Sequence, residues 1–162
     1  MIITNKWDQR FLRLAKEIST WSKDPSTQVG CVIVDPKTRR ILSTGYNGFP
    51  AGIDDTAERL DNRETKYKLI VHAEMNAIYN ATHNGQSLTG ATAYIINQPL
   101  CQKCALGIIS VGIKRVVMIK VKTWGQRWID DFNNNTKPLL LEAGIEFDVF
   151  SEDQLGKVVS LY

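Results

Sequence analysis

His72-Ala73-Glu74 and Cys101-Gln102-Lys103-Cys104 put one imidazole, two thiols and one carboxylate into two short motifs. Imidazole and thiolate are zinc ligands. A zinc ion that only holds a fold closes its sphere with four protein ligands, whereas a catalytic zinc keeps one position for water and lowers that water's pKa to about 7. Three ligands, His72, Cys101 and Cys104, with Glu74 left over as an acid, therefore point to zinc-assisted hydrolysis. A competing reading of Glu74 is an acid complementing a helix start. A carboxylate in the fourth position would make the site structural.

Spacing dictates which elements must carry these groups. Residues i and i+2 in a helix interior point away from each other, so His72 and Glu74 can address one centre only at a helix entrance. Ala73, Ala77, Ile78 and Ala81 then repeat at helical spacing up to the stop signal Asn84-Gly85. Cys101 and Cys104 open a second apolar stretch that ends near Gly112. Two helix N-termini, each partly positive, would favour thiolate over thiol. His83 lies eleven residues past His72, about 16 Å along the same helix at about 1.5 Å per residue, and so is expected at the solvent-facing end. Cys31 sits in the strand-like run Val29 to Val34 and reads as a small core hydrophobe.

The remaining elements follow from periodicity. Trp7, Phe11, Leu14, Ala15, Ile18 and Trp21 form one face of a first helix closed by Asp24-Pro25. Residues 28–34 and 41–46 read as a hairpin turning at Asp35-Pro36-Lys37-Thr38. Residues 47–70 read as a long polar connection with one helical turn around 57–60, a length typical of functional loops. After His72 the order is helix, strand 91–96, helix, strand 115–119, helix, strand 146–150. The last helix is expected from about Trp128 or Asp130, interrupted at Pro138, and ending at Gly144. Such succession implies parallel later strands with helical crossovers, and ligands where strand C-termini meet helix N-termini.

With 162 residues, 43% hydrophobic and 23% charged, the chain suits one ordered domain spanning 1–162. It has no apolar run of membrane-spanning length, and its polar N-terminus lacks a signal-peptide core. Three cysteines, two of them in a metal motif, fit a reducing, cytoplasmic setting better than a disulfide framework. The net charge of +3 allows a phosphorylated small molecule but is not the footprint of a nucleic-acid binder, and no membrane partner is expected.

The His-x-Glu and Cys-x-x-Cys motifs resemble the zinc-dependent cytidine and deoxycytidylate deaminase family. Ser22-Lys23-Asp24-Pro25-Ser26-Thr27-Gln28-Val29-Gly30 and Gly45-Tyr46-Asn47-Gly48-Phe49-Pro50 resemble its deoxycytidylate (dCMP) branch. The resemblance implies a three-layer α/β/α fold with a five-stranded mixed sheet. It also implies hydrolysis of dCMP to dUMP and ammonia, which supplies dUMP for thymidylate synthesis, with zinc on His72, Cys101 and Cys104 and Glu74 as proton shuttle. Substrate contacts would come from Ser22, Lys23, Ser26, Asn47 and Ala73. Relatives imply a homo-hexamer activated by dCTP and inhibited by dTTP, with Mg²⁺ accompanying the triphosphate, through Tyr46, Asn47 and Gly48. The family places Pro directly before the first Cys; here Leu100 intervenes after Pro99, which predicts a bulge or altered loop path. The Ser22–Ser26 segment could equally be a solvated turn, and Trp124 and Trp128 either ligand contacts or packing. Competing functions are deamination of dCTP or cytidine, and a noncatalytic zinc module.

Overall fold

This computed structural model describes residues 6–122 and 124–156. The first five residues, where the polar N-terminus begins, lie outside the described residues. The chain runs α1 (Lys6–Ser19), β1 (Gly30–Val34), β2 (Ile41–Tyr46), α2 (Ala57–Asp61), α3 (Arg63–Leu69), α4 (Ala73–His83), β3 (Thr92–Ile96), α5 (Gln102–Ser110), β4 (Arg115–Lys120) and α6 (Gln126–Asp131). A π-helical turn (Phe132–Thr136), α7 (Lys137–Glu142), β5 (Glu146–Ser151) and α8 (Glu152–Gly156) complete it.

The sheet order is β2-β1-β3-β4-β5, with β1 antiparallel to both its neighbours and β3, β4 and β5 parallel. It is the expected five-stranded mixed sheet. Burial follows position: every residue of β1 and β3 is buried, whereas β2 and β5, at the edges, are partly exposed. A continuous apolar run such as Gly30-Cys31-Val32-Ile33-Val34 suits a strand covered on both faces.

Two glycines set how closely helices approach those faces. A Cβ on Gly30 would lie 2.0 Å from the Ala15 carbonyl oxygen of α1, and one on Gly45 would lie 2.3 Å from the Ala73 carbonyl oxygen and the Ala77 nitrogen of α4. Gly45 pairs with Cys31, the neighbour of Gly30. Successive residues of a strand point to opposite faces, so α1 and α4 cover opposite sides. This is the three-layer arrangement. Phe11, Leu12, Ala15 and Ile18 supply the buried stripe of α1.

Several expectations need correction. Trp21 lies beyond α1 and is 56% exposed, so it belongs to the surface and not to the helix stripe. The connection after residue 47 is not one loop with a single turn. It folds into α2 and α3, capped by the side chains of Thr56 and Asn62. The interruption near Pro138 is a π-helical turn: Lys137 N–H bonds to the Phe132 carbonyl five residues back. This wider turn directly precedes Pro138, which has no N–H to give and sits in the first turn of α7. The short α8 was not anticipated. No helix of the described residues is long and apolar enough to cross a membrane.

A buried polar network ties α1 to the sheet. Arg115 at the start of β4 makes two 2.9 Å bonds to Asp8 and two more, of 2.7 and 3.1 Å, to Asp148 of β5, and Tyr94 donates its hydroxyl to Asp8 at 2.7 Å.

Candidate active site

His72 caps the N-terminus of α4 in extended conformation, and Cys101 caps α5. The helix entrances therefore stand where the spacing required. The Cys101 sulfur accepts the Cys104 backbone N–H at 3.5 Å, which satisfies one of the free donors of the first turn and favours a thiolate there.

Each entrance is held by specific contacts. Gly45 lets α4 lie against β2, where Ser43 donates to the Ala77 carbonyl at 2.7 Å, Asn80 to the Thr44 carbonyl at 2.9 Å and Asn76 to the Tyr46 carbonyl at 2.8 Å. Gly48 and Val71 exchange backbone bonds of 3.1 and 2.9 Å, fixing the residue before His72. On the second motif, Asn97 at the end of β3 adopts a left-handed φ of 77°, a conformation Asn tolerates. Its carbonyl accepts from the indole of buried Trp124 at 3.0 Å, which assigns Trp124 to packing and loop support. Leu100 is fully buried and its N–H points at the Met118 sulfur, 3.5 Å away. The residue inserted after Pro99 is thus an apolar anchor, and Cys101 keeps its capping place.

The His72 Nδ1 lies 3.4 Å from both thiol sulfurs. Bonds of about 2.1 Å to nitrogen and 2.3 Å to sulfur at tetrahedral angles put such ligands about 3.6 Å apart, so the donors fit one zinc ion. Among the described residues, the donors lying within 4.8 Å of one another are these three, with no fourth His, Cys, Asp or Glu. His83 is exposed at the last residue of α4, outside the group.

The two thiols are held unequally. The hydrogen bond from Cys104 holds Cys101 down to about 4, and the same bond pushes Cys104 well up. His72 is raised mainly by its bond to Cys101. One thiolate forms unaided, and a bound metal would ionise the second. Glu74 is 3% exposed; burial pushes its carboxyl up to about 6, with the nearby His72 opposing. Cys31 is fully buried on the sheet face toward α4, its thiol pushed well up by burial and then by Glu74. It is a core residue, as its strand context suggested.

One cleft is lined by His72, Ala73, Glu74 and Cys101 together with Asp24, Ser26, Thr27 and Lys66, and by Asn47, Gln98, Pro99 and Trp128. The sequence-derived set divides here. Ser26, Asn47 and Ala73 line the cleft. Lys23 does not: its side chain is 68% exposed and pairs with Asp55 at 2.8 Å. Ser22 is buried, donates to the Asn47 carbonyl at 2.7 Å and supports the wall from behind. Asn47 is itself engaged, accepting from Val29 N–H at 2.7 Å and donating to the Thr27 carbonyl at 2.8 Å. Its amide braces the turn at residues 24–27. The backbone N–H groups of Ser26 and Thr27 bond to the Asp24 carboxylate at 2.8 and 3.1 Å. Lys66, missed in the sequence, is the cation in the cleft.

The model of the cytidine and deoxycytidylate deaminase zinc-binding region matches residues 5–120. The chain belongs to this family. It is 48% identical over 118 residues to a probable deoxycytidylate deaminase of Caenorhabditis elegans, covering 71% of this chain and 58% of that protein. It thus spans little more than half of that relative's length. It is 41% identical over 128 residues to an uncharacterized deaminase encoded in the luxG 3′ region of Aliivibrio fischeri, covering 76% of this chain and 82% of that one. The crystal structure of dCMP deaminase from the cyanophage S-TIM5, in complex with dCMP and dUMP, superposes with a TM-score of 0.70 at 22% identity, covering 91% of this chain and 99% of that one. That likeness establishes the cytidine-deaminase-like fold.

Proposed function

We propose that this chain, as a single domain, hydrolyses dCMP to dUMP and ammonia. The observation that carries the reading is a three-donor metal group with a fourth, buried carboxylate beside it, opening into a cleft that a lysine also lines. The names of the relatives support the choice of dCMP.

His72, Cys101 and Cys104 would hold the zinc ion. When bound, zinc polarises the attacking water and stabilises the charge that develops on it. Glu74 does the proton work. A carboxyl near 6 is mostly ionised at neutral pH and accepts a proton from water, while burial makes its protonated form accessible enough to pass that proton to the pyrimidine ring nitrogen; it then takes the proton of the hydroxyl added to the ring carbon and gives it to the departing amine, so that the two protons of water end on the ring nitrogen and on ammonia. Ala73 backs the cleft beside it, and Ser26 and Asn47 bound the nucleotide end. Trp128 lines the mouth, 41% exposed.

A homo-hexamer activated by dCTP and inhibited by dTTP, with Mg²⁺ at the triphosphate, extends this reading. Tyr46 is 40% exposed beside Trp21, and its carbonyl and the Gly48 backbone hold the start of α4. A nucleotide seated on Tyr46, Asn47 and Gly48 would press on the segment that places His72. Three free cysteines support a reducing cytoplasmic location.

Incubating the purified protein with dCMP, dCTP, cytidine and single-stranded DNA, with and without a zinc chelator, tests the reading. Uracil formation from dCMP that stops on chelation and returns with zinc is expected. Turnover of another substrate but not dCMP would overturn it.

A further inference from the structure

The positive charge of this chain is not spread evenly. Residues 6–40 hold eight of its twenty Lys and Arg against four Asp and Glu, whereas the remainder holds twelve against thirteen. Of those four acids, Asp8 and Asp24 are buried and paired with Arg115 and Lys66, and Asp35 is bonded to the Thr38 hydroxyl. On α1, Lys6, Arg10 and Arg13 follow one another at spacings of four and three and so share a helix face. Lys37, Arg39 and Arg40 come from the β1–β2 turn. The two groups meet at Trp7, where the guanidinium carbons of Arg10 and Arg39 each lie 4.6 Å from the centre of the ring. None of the six cations forms an ion pair among the described residues.

Three arginines here are held at a cost that the free protein does not recover. Arg10 and Arg39 share one indole, so two like charges lie within about one Debye length of each other with no acid paired to either. Arg39 has a left-handed φ of 61°, where Gly or Asn is the usual occupant and Arg carries backbone strain. Arg13 is half-buried, and its Nε and Nη2 are covered without a hydrogen-bond partner. That is the edge Arg115 turns side-on to Asp148. Swinging Arg13 out to a carboxylate would break no hydrogen bond of that edge and would satisfy it. Lys6 to Arg13 spans about 10 Å at about 1.5 Å per residue, which a few residues of extended chain cover at about 3.3 Å each. A nucleic-acid duplex, with a charge about every 1.7 Å, would run past this patch onto a surface without positive excess. None of the six residues lines the cleft, and α1 covers the sheet face opposite α4, so an occupant here leaves the cleft open.

We propose that α1 and the β1–β2 turn form a docking surface for a short Asp- and Glu-rich segment of another protein, gripped by Arg10, Arg13 and Arg39. This surface is separate from the cleft, and its occupancy does not depend on the proposed reaction.

The test follows the fluorescence anisotropy of a labelled decapeptide of alternating Glu and Asp as the full chain is added, at about 50 mM and about 150 mM salt. Binding at the lower salt that weakens several-fold at the higher is expected. Arg10→Gln combined with Arg39→Asn should weaken it at least about tenfold, the loss expected of two charge-assisted contacts. Lys120→Gln combined with Lys137→Gln removes the same charge from exposed positions elsewhere and should change it by no more than about twofold. Arg39→Asn alone should leave the melting midpoint within about 2 °C of wild type, since relief of the left-handed strain offsets the lost stacking on Trp7. No binding of the decapeptide at either salt would overturn the inference. Equal weakening in the two double variants would reduce the effect to net charge and overturn it as well. A midpoint lowered by more than about 5 °C in Arg39→Asn, with peptide binding intact, would make Arg39 a fold element and remove it from the surface. Tighter binding of an oligothymidylate, or of phosphatidylserine vesicles, than of the decapeptide would assign the face to phosphate and overturn the choice of partner.

Discussion

Replacing Gly45 by Ala tests whether the sheet places the metal ligands. The new methyl would lie 2.3 Å from the Ala73 carbonyl oxygen and the Ala77 nitrogen, and 2.9 Å from the Ala77 Cα. All three are backbone atoms, so no side chain can swing aside. An ordinary contact is about 3.5 Å, so α4 must retreat by about 1 Å. His72 sits at the cap of that helix with Nδ1 at 3.4 Å from each sulfur, and a working metal site tolerates about 0.2 Å. Zinc affinity should fall at least tenfold, and kcat/KM for dCMP about 100-fold, the order expected of a 1 Å misplacement. Overpacking should cost about 1–3 kcal/mol in stability. Gly30→Ala is the matched control: its methyl would meet the Ala15 carbonyl at 2.0 Å and the Ser19 nitrogen at 2.7 Å on the opposite face, destabilising α1 without pushing the ligands. Metal content by mass spectrometry, denaturant melts and uracil formation, all on folded protein, separate the two. If both variants lose zinc in proportion to stability, or Gly45→Ala keeps its metal and rate, the contact of α4 with β2 does not place the ligands.

Glu74→Gln should retain one zinc per chain while kcat falls about 10²- to 10⁴-fold, the usual worth of a proton shuttle; turnover within tenfold of wild type would remove Glu74 from the chemistry. Asp8→Asn removes the charge that Arg115 and Tyr94 share, while Arg115 keeps Asp148, and should destabilise the protein by about 1–2 kcal/mol in urea melts, with zinc content unchanged; a cost below about 0.5 kcal/mol would show that the network does not hold α1 to the sheet.

The metal group was legible because each motif is local: two residues at a helix entrance and two spaced by one turn leave little freedom, and the apolar repeats of Ala77, Ile78 and Ala81 fix which way the entrance faces. The sheet was legible for a similar reason, since β1, β3 and β4 are unbroken apolar runs. The cleft wall around residues 24–27 was not. In Ser22-Lys23-Asp24-Pro25-Ser26, composition names a cation, but the side-chain bonds of Asp24 turn that carboxylate inward and Lys23 outward. The lysine that does face the cleft comes from Arg63–Leu69, a polar helix without an apolar stripe, and its burial depends on an aspartate 42 residues away. The π-helical turn escaped notice because Pro138 signals a break without specifying its form.

The stretch from Pro50 to Leu69 has a practical consequence. Because Lys66 is the one buried side chain among these twenty residues, the outer part of this panel can lengthen, shorten or accept a reporter group without disturbing the hydrophobic interior. A fluorophore placed there would sense events at the cleft from a position that the rest of the molecule does not need.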